Sequence, residues 1–299
     1  MRPRTLAVIP AYNEELTIGS IVLCAKKHVD KVLVIDDGSR DRTGKLAELA
    51  GATVIRHDRN MGKGAALKTA FEYAIGTKVD ILVCLDADGQ HDPDDIPKLL
   101  QPLLLKRADV VLGSRFIEEG NKSNVPKGRR VGQKVLDIVT TAGTKLKVTD
   151  TQSGFRAYAR RTFDKFSFKE RGICTESEML IDAIENGMKV LEVPISCQYN
   201  IPNPSKEGQY RHGMRVFNFA LRSIRERHPL LFFGGGGFIA LLVGLAFGLY
   251  TIDYYLQYRF VPFGPALITI ALTLAGMFSI FAGLMLNAMY AMIQRITGK

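Results

Sequence analysis

The run Val79-Asp80-Ile81-Leu82-Val83-Cys84-Leu85-Asp86-Ala87-Asp88-Gly89-Gln90-His91 decides how the chain is read. Ile81 to Leu85 is a short unbroken apolar run, the pattern of a strand buried on both faces. It stops abruptly at Asp86-Ala87-Asp88. Residues two apart in extended backbone point to the same side, so Asp86 and Asp88 aim two carboxylates at one point past the strand's carboxyl end. Open α/β sheets bind ligands there. Two carboxylates and the amide oxygen of Gln90 are hard donors, suited to Mg2+ or Mn2+ holding a phosphate. An isolated Asp-x-Asp is also a common helix cap or solvated turn. Alone, the tripeptide is short and common and favours that structural reading.

The flanking sequence alternates strand and helix signals. Thr5 to Ile9 is a first strand, stopped by Pro10. Asn13 reads as an N-cap before Glu14 and Glu15, with Leu16, Ile18, Ile21, Val22 and Ala25 as a helical stripe. Lys31 to Ile35 is a second strand, ended by Asp36-Asp37-Gly38-Ser39, and a helix follows over Arg42 to Ala50. Ala52 to Arg56 is a third strand, after which Asn60-Met61-Gly62-Lys63-Gly64 opens a helix. Beyond the Asp86 turn, Asp92-Pro93-Asp94-Asp95 starts a helix that runs to about Lys106. Asp109 to Gly113 is a fifth strand, ending at Ser114-Arg115. This order predicts an α/β fold with a Rossmann-like, mainly parallel sheet covered on both faces. Right-handed crossovers bring the strand ends to one edge. Pro10, Tyr12, Glu14, Asp36, Asp37, Asp86, Asp88 and Arg115 are then expected to share a crevice.

Phe116 to Lys127 reads as a polar loop, and Gly128 to Leu146 as a basic helix carrying Arg129, Arg130, Lys134 and Lys145. Asp150 to Arg156 is a turn into a short strand, Glu176 to Gly187 a helix, and Lys189 to Tyr199 one or two strands around Pro194. A Pro/Asn/Ser loop over 201–209 leads to a basic amphipathic helix, Arg211 to Arg227. Leu230 to Ile252 then carries no charge, and its roughly 34 Å of helix would span a bilayer. A polar connector, Asp253 to Val261, precedes a second uncharged span, Pro265 to Ile293. Arg222, Arg225, Arg227 and His228 precede the first span, Arg295 and Lys299 follow the second, and Arg259 lies between them. The positive-inside rule puts both termini in the cytoplasm. The expected division is a cytoplasmic domain over 1–208, a juxtamembrane helix over 209–228 and a transmembrane hairpin over 229–299. The hairpin is also a candidate surface for homo-oligomers.

The chain has 299 residues and a formal net charge of +10. That basicity points to an anionic membrane surface or a phosphorylated substrate, because the basic residues are not interleaved with aromatics as nucleic-acid binding requires. Cys24, Cys84, Cys174 and Cys197 lie far apart, without zinc spacing, and read as buried reduced thiols. The apolar run near the N-terminus is too short for a signal peptide. Gly62-Lys63-Gly64 lacks the Ser or Thr of a P-loop and the third Gly of a dinucleotide fingerprint, and no Gly-x-Ser-x-Gly is present. The five histidines are scattered, His91 alone lying beside the acidic turn.

Seven segments taken in order resemble the family-2 glycosyltransferases, and among them the dolichyl- and polyprenyl-phosphate sugar synthases. They are PAYNEE from Pro10, VIDDGSRDRT from Val34, RNMGKGAAL from Arg59, LDADGQHDP from Leu85, GSRF from Gly113, DTQSGFRA from Asp150 and GMKVLEVPI from Gly187. The resemblance covers about Thr5 to Arg227. It implies a glycosyltransferase-A fold and a nucleotide-sugar donor such as GDP-mannose or UDP-glucose. It assigns the donor's base and ribose to Pro10, Tyr12 and Glu14, with Ile35 and Asp37 in the same pocket. It assigns metal and diphosphate to Asp86, Ala87, Asp88 and Gln90, phosphate to Arg115 and Arg129, and the loop over the donor to Lys206. An Arg is frequent in the family before that loop, where this chain has Asn200.

The implied reaction moves a sugar to a polyprenyl or dolichyl phosphate at the lipid bilayer. The acceptor oxygen is already ionised at neutral pH, so the demands are charge neutralisation and in-line positioning. Two rival readings are a transferase with a polysaccharide or protein acceptor, and a non-catalytic nucleotide-sugar-binding subunit. The lack of a QxxRW-like segment opposes a processive polysaccharide synthase, and the intact acidic trio opposes a non-catalytic role.

Overall fold

The computed structural model describes residues 2–117, 148–168, 175–197, 225 and 229–296. The 118–127 part of the polar loop, the basic helix over 128–146 and the loop over 201–209 lie outside them. So do Asn200, nearly all of the amphipathic helix over 211–227, and with these segments Arg129, Lys134, Lys206 and Cys174. The chain forms two compact units, Met1–Val216 and Phe217–Lys299.

In the first unit, strands β1 (Thr5–Ala11), β2 (Lys31–Asp36), β3 (Thr53–Arg56) and β4 (Ile81–Cys84) alternate with helices α1 (Ile18–Ala25), α2 (Thr43–Leu49) and α3 (Lys63–Ile75). A 3-10 turn, Pro93–Asp95, leads into α4 (Ile96–Leu104), followed by β5 (Val110–Ser114), β6 (Arg156–Ala159), α5 (Thr175–Glu185) and β7 (Val190–Pro194). The seven strands form one sheet in the order β3-β2-β1-β4-β6-β5-β7. Its pairings are parallel, except that β6 runs antiparallel to both neighbours, β4 and β5.

The apolar runs are continuous because each strand feeds two cores. On β1, Ala7 and Ile9 enter one cluster and Leu6 and Val8 the other; on β4, Val83 and Leu82 divide in the same way. The first cluster is closed by Ile18, Ile21, Val22 and Ala25 of α1 and by Ile96, Leu99 and Leu103 of α4. The second is closed by Ala66, Leu67, Ala70 and Phe71 of α3 and by Met179, Leu180 and Ala183 of α5. Alanines on α3 let it lie close to the strands, while Phe71 fills the outer layer edge-on to Tyr158, Phe163 and Phe166.

Two local expectations change. The first helix begins at Ile18, and Asn13 does not cap it: Asn13 has a left-handed φ of 53° and Leu16 is 75% exposed. Asn13 serves the neighbouring loop, its Oδ1 accepting from Arg40 N at 2.8 Å and its N–H donating to Ser39 Oγ at 3.0 Å. That exchange of partners explains why a polar residue accepts a conformation most side chains avoid. Among the cysteines, Cys84 is buried whereas Cys24 and Cys197 are partly exposed, and all three are free thiols.

In the second unit, a π-helical turn over Leu230–Gly234 leads into α6 (Gly235–Tyr258), and α7 (Phe263–Ile296) follows. The connector is shorter than expected because α6 continues through Asp253, where Gln257 Nε2 donates to Asp253 Oδ2 at 3.0 Å one turn on. Arg259, at φ 54°, ends the helix. The two helices pack through small residues. A Cβ on Gly237 would fall 2.6 Å from Gly276 O, and Gly244 faces Thr273. Ser279 Oγ donates to Phe233 O at 2.7 Å. Large apolar side chains such as Leu245, Phe278 and Phe281 face outward. Small residues inside and large ones outside suit helices that associate in lipid. Leu230–Tyr258 and Phe263–Met289 are long and apolar enough to cross a membrane.

Candidate active site

The carboxyl ends of β1, β2, β4 and β5 meet at one edge, as parallel pairing requires. The loop after β1 is bonded to both of its neighbours. Thr17 Oγ1 donates to Ala87 O at 2.6 Å, fixing it to the Asp86-Ala87-Asp88 turn. Glu14 N donates to Thr43 Oγ1 at 2.8 Å, fixing it to the start of α2, the helix after β2. Pro10, Tyr12 and Glu14 are partly exposed along this seam.

Asp37 and Ile35 occupy different surroundings. The Ile35 side chain is fully buried in the second core cluster, so Ile35 can meet a ligand only through its backbone. The Asp37 carboxylate takes Met61 N at 2.9 Å, Gly62 N at 2.8 Å and His57 Nδ1 at 2.7 Å. These bonds hold the entry to α3 and thereby the root of Lys63. Lys63 is the first residue of α3, and its ammonium pairs with Asp86 Oδ1 and, at 2.5 Å, with Glu176 Oε1.

Asp86 and Asp88 follow the end of β4 directly. Ala87 between them is buried, and both aspartates are part-buried. Asp88 Oδ1 accepts from Gln90 N at 3.0 Å across Gly89, which has a φ of +76°. Burial raises the Asp88 carboxyl above its ordinary value, and the charge of Asp86 adds to the effect. Burial also opposes ionisation of Asp86, but the Lys63 ammonium, then His91 and Arg115, overcome it and bring its pKa to about 2. Burial lowers the His91 imidazole below its ordinary value, against the pull of the Asp86 charge. Its Nδ1 has no hydrogen-bond partner among the described residues and lies 3.8 Å from Asp86 Oδ2. Burial pushes the Cys84 thiol upward, which keeps it from acting as a nucleophile.

The antiparallel β6 completes the site. Cys84 pairs with Arg156, so the chain before β6 crosses in front of Asp86. A Cβ on Gly154 would lie 2.6 Å from Asp86 Oδ1, so only glycine allows this approach. Arg156 is fully buried and donates to the carbonyls of Thr151, Ser153 and Glu176, fixing the turn and the start of α5 together. Arg115 stands at the end of β5. Its Nε and Nη2 reach the two Asp150 carboxylate oxygens at 2.7 and 2.8 Å, with Asp150 fully buried.

Among the expected site residues, the structure therefore brings together Pro10, Asp86, Ala87 and Asp88, with Tyr12, Glu14 and Gln90 on the loops around them. It adds Lys63, Glu176 and Gly154, which the sequence reading does not assign to the site. Gly62-Lys63-Gly64 at the mouth of a helix is the signal for Lys63. Glu176 looks like an ordinary acid in a first helical turn, and its buried pairing with Lys63 sets it apart.

No group of three or more His, Cys, Asp or Glu side chains among the described residues could hold a metal ion alone. Asp86, Asp88 and the Gln90 amide nonetheless suit Mg2+ or Mn2+, ions commonly held by one or two carboxylates with substrate phosphates completing the shell. Burial and then the charge of Asp86 raise Asp88, and such an ion would offset both.

Comparison with known proteins adds an independent line. The sequence model described as Glycosyl transferase family 2 matches residues 6–167. The UDP-N-acetylglucosamine–dolichyl-phosphate N-acetylglucosaminyltransferase of Methanococcus voltae is 34% identical, over 70% of this chain and 92% of its own length. The polyprenol monophosphomannose synthase of Mycolicibacterium smegmatis is 35% identical, over 75% of this chain and 88% of its own. Among solved structures, glucosyl-3-phosphoglycerate synthase from Mycobacterium tuberculosis, in complex with Mn2+, uridine diphosphate and phosphoglyceric acid, superposes with a TM-score of 0.57. That likeness is 22% identical, covers 74% of this chain and 78% of the other, and shows the shared fold.

Proposed function

The chain belongs to glycosyl transferase family 2, and from that membership we propose that it moves a sugar from a nucleotide-sugar donor to a polyprenyl or dolichyl phosphate. Its first unit has a glycosyltransferase-A-like mixed sheet. The observation that carries the reading is the placement of the Asp86-Ala87-Asp88 turn past the end of β4, bonded through Ala87 O to the loop after β1, with Lys63 paired to Asp86. The names of the two relatives, which act on lipid phosphates, support the acceptor class.

In this reading the donor is a nucleoside-diphosphate hexose of the GDP-mannose or UDP-glucose type. Pro10, Tyr12, Glu14, Asp37 and the Ile35 backbone line its base and ribose, with Lys206 in the loop over it. Asp86 and Asp88, with Ala87 and Gln90 around them, would hold a divalent ion, whose chemistry is to neutralise charge on the departing diphosphate. An oxygen of the lipid phosphate attacks the anomeric carbon from the face opposite the diphosphate. One carbon–oxygen bond forms as the other breaks, and the anomeric configuration inverts. The attacking oxygen is ionised before it binds, so no side chain need take a proton from it. Arg129 would dock the lipid phosphate, and Arg115, tied to Asp150, would hold the end of β5 in place beside it. The two apolar helices anchor the enzyme in the cell membrane, and the basic residues flanking them favour cytoplasmic termini and a cytoplasmic catalytic unit.

Asp88→Ala tests the reading. It should abolish sugar transfer while membrane insertion and thermal unfolding stay as in the wild type. Undiminished transfer would remove the proposal.

A further inference from the structure

The proposed metal site already contains a cation of the protein's own. The Lys63 ammonium lies between Asp86 Oδ1 and Glu176 Oε1, the latter at 2.5 Å. Two carboxylates thus share one ammonium, and the Glu176 side chain is 5% exposed. A divalent ion that takes Asp86 as a ligand must come within a few ångströms of this ammonium, in a partly buried place where like charges repel strongly. Glu176 gives Lys63 somewhere to stay. The ammonium can leave Asp86 without becoming an unpaired buried charge. A nucleoside diphosphate would offer it further anionic oxygens.

We propose that Lys63 is a resident counter-cation of the metal site. It holds Asp86 in the donor-free protein and gives that carboxylate up to the divalent ion, falling back on Glu176 and the donor's diphosphate. Ion and nucleotide therefore bind as a linked pair. This rests on the metal-holding reading of Asp86 and extends it to a residue with no assigned role. By linkage, whatever factor the nucleotide adds to ion affinity, the ion adds to nucleotide affinity.

The test is Mn2+ binding to the full chain in detergent, followed by the loss of the free-ion paramagnetic resonance signal, with and without UDP or GDP. In the wild type, nucleotide should tighten Mn2+ about tenfold or more, within the usual range of coupling between sites. Lys63→Met removes the competing charge, so Mn2+ alone should bind about tenfold tighter than in the wild type, and the nucleotide effect should shrink. Lys63→Arg keeps the charge and should keep the weak nucleotide-free binding. Glu176→Gln removes the fallback partner and should weaken Mn2+ binding, a change opposite in sign. That variant decides the matter if Lys63→Met does not fold by circular dichroism. Unchanged or weaker Mn2+ binding in folded Lys63→Met, or tighter binding in Glu176→Gln, overturns the inference and leaves the metal site standing. A wild type that binds no Mn2+ even with nucleotide overturns both.

Discussion

Arg115 and Asp150 form a pair whose purpose Asp150→Asn examines. Arg115 is 6% exposed and Asp150 fully buried, and two guanidinium nitrogens meet two carboxylate oxygens at 2.7 and 2.8 Å. The Arg115 backbone N–H adds a third, longer bond at 3.2 Å. An asparagine keeps the shape but sets an amide N–H against a guanidinium N–H and leaves a buried positive charge without its carboxylate. Breaking one side of a buried pair typically costs about 3–5 kcal/mol. For a unit of this size that is a fall in Tm of roughly 6–20 °C. Removing both charges, as Arg115→Met with Asp150→Leu, should recover most of the loss, since paired buried charges are often replaceable by apolar groups. The assay is thermal unfolding by far-ultraviolet circular dichroism, because the chain has no tryptophan to report by fluorescence. A single variant within about 0.5 kcal/mol of wild type would mean that the carboxylate does not hold the guanidinium in place. A double variant no better than the single one would mean the same of the pair. Arg115→Met with unchanged Tm and a raised KM for lipid phosphate would make Arg115 a substrate ligand and not a strut.

Three further outcomes follow from the geometry. Gly154→Ala puts a methyl 2.6 Å from Asp86 Oδ1 and should lower kcat about a hundredfold through a shift near 1 Å, with Tm little changed; full activity would show that Asp86 has room to move. Because the folded pKa of Asp86 is about 2 against an ordinary 3.8, the unfolded chain protonates first as pH falls. Its contribution, on the order of 2 kcal/mol, should be present above about pH 4 and lost toward pH 2; urea midpoints across that window should show the slope in the wild type and lose most of it in Lys63→Met. Gly276→Leu would drive a side chain into Gly237 O, 2.7 Å from the first added carbon. It should destabilise the α6–α7 pair by about 1–3 kcal/mol, read as a lower temperature of aggregation in detergent, whereas an unchanged value would contradict the glycine seam.

The strand cores are legible in the sequence because a strand buried on both faces leaves an unbroken apolar run. TLAVI, KVLVI and ILVC therefore mark β1, β2 and β4 by residue type alone. The strand ends are legible because parallel connections deliver them to one edge, which is why the Asp86 turn and the Thr17 loop meet. Less legible is what long-range pairing alone decides. The insertion of β6 between β4 and β5 sets Gly154 against Asp86, and nothing in DTQSGFRA marks it as an antiparallel strand within a parallel sheet. Asn13 looks like a helix cap in its own neighbourhood, yet its partners lie 26 and 27 residues away. Lys63 and Glu176 come from different helices, and their pairing beside Asp86 appears only when α3 and α5 pack on the same face of the sheet.

Transfer of a sugar to a lipid phosphate stands or falls on where the labelled product partitions. The full chain in detergent, with Mn2+ and polyprenyl phosphate, would be offered labelled GDP-mannose, UDP-glucose and UDP-N-acetylglucosamine in parallel. Label from one of these donors should enter the organic phase as a glycosylated lipid phosphate, and none should do so with Asp88→Ala. Label that stays in the aqueous or protein fraction for every donor, or organic-phase product that survives Asp88→Ala, would overturn the proposed activity.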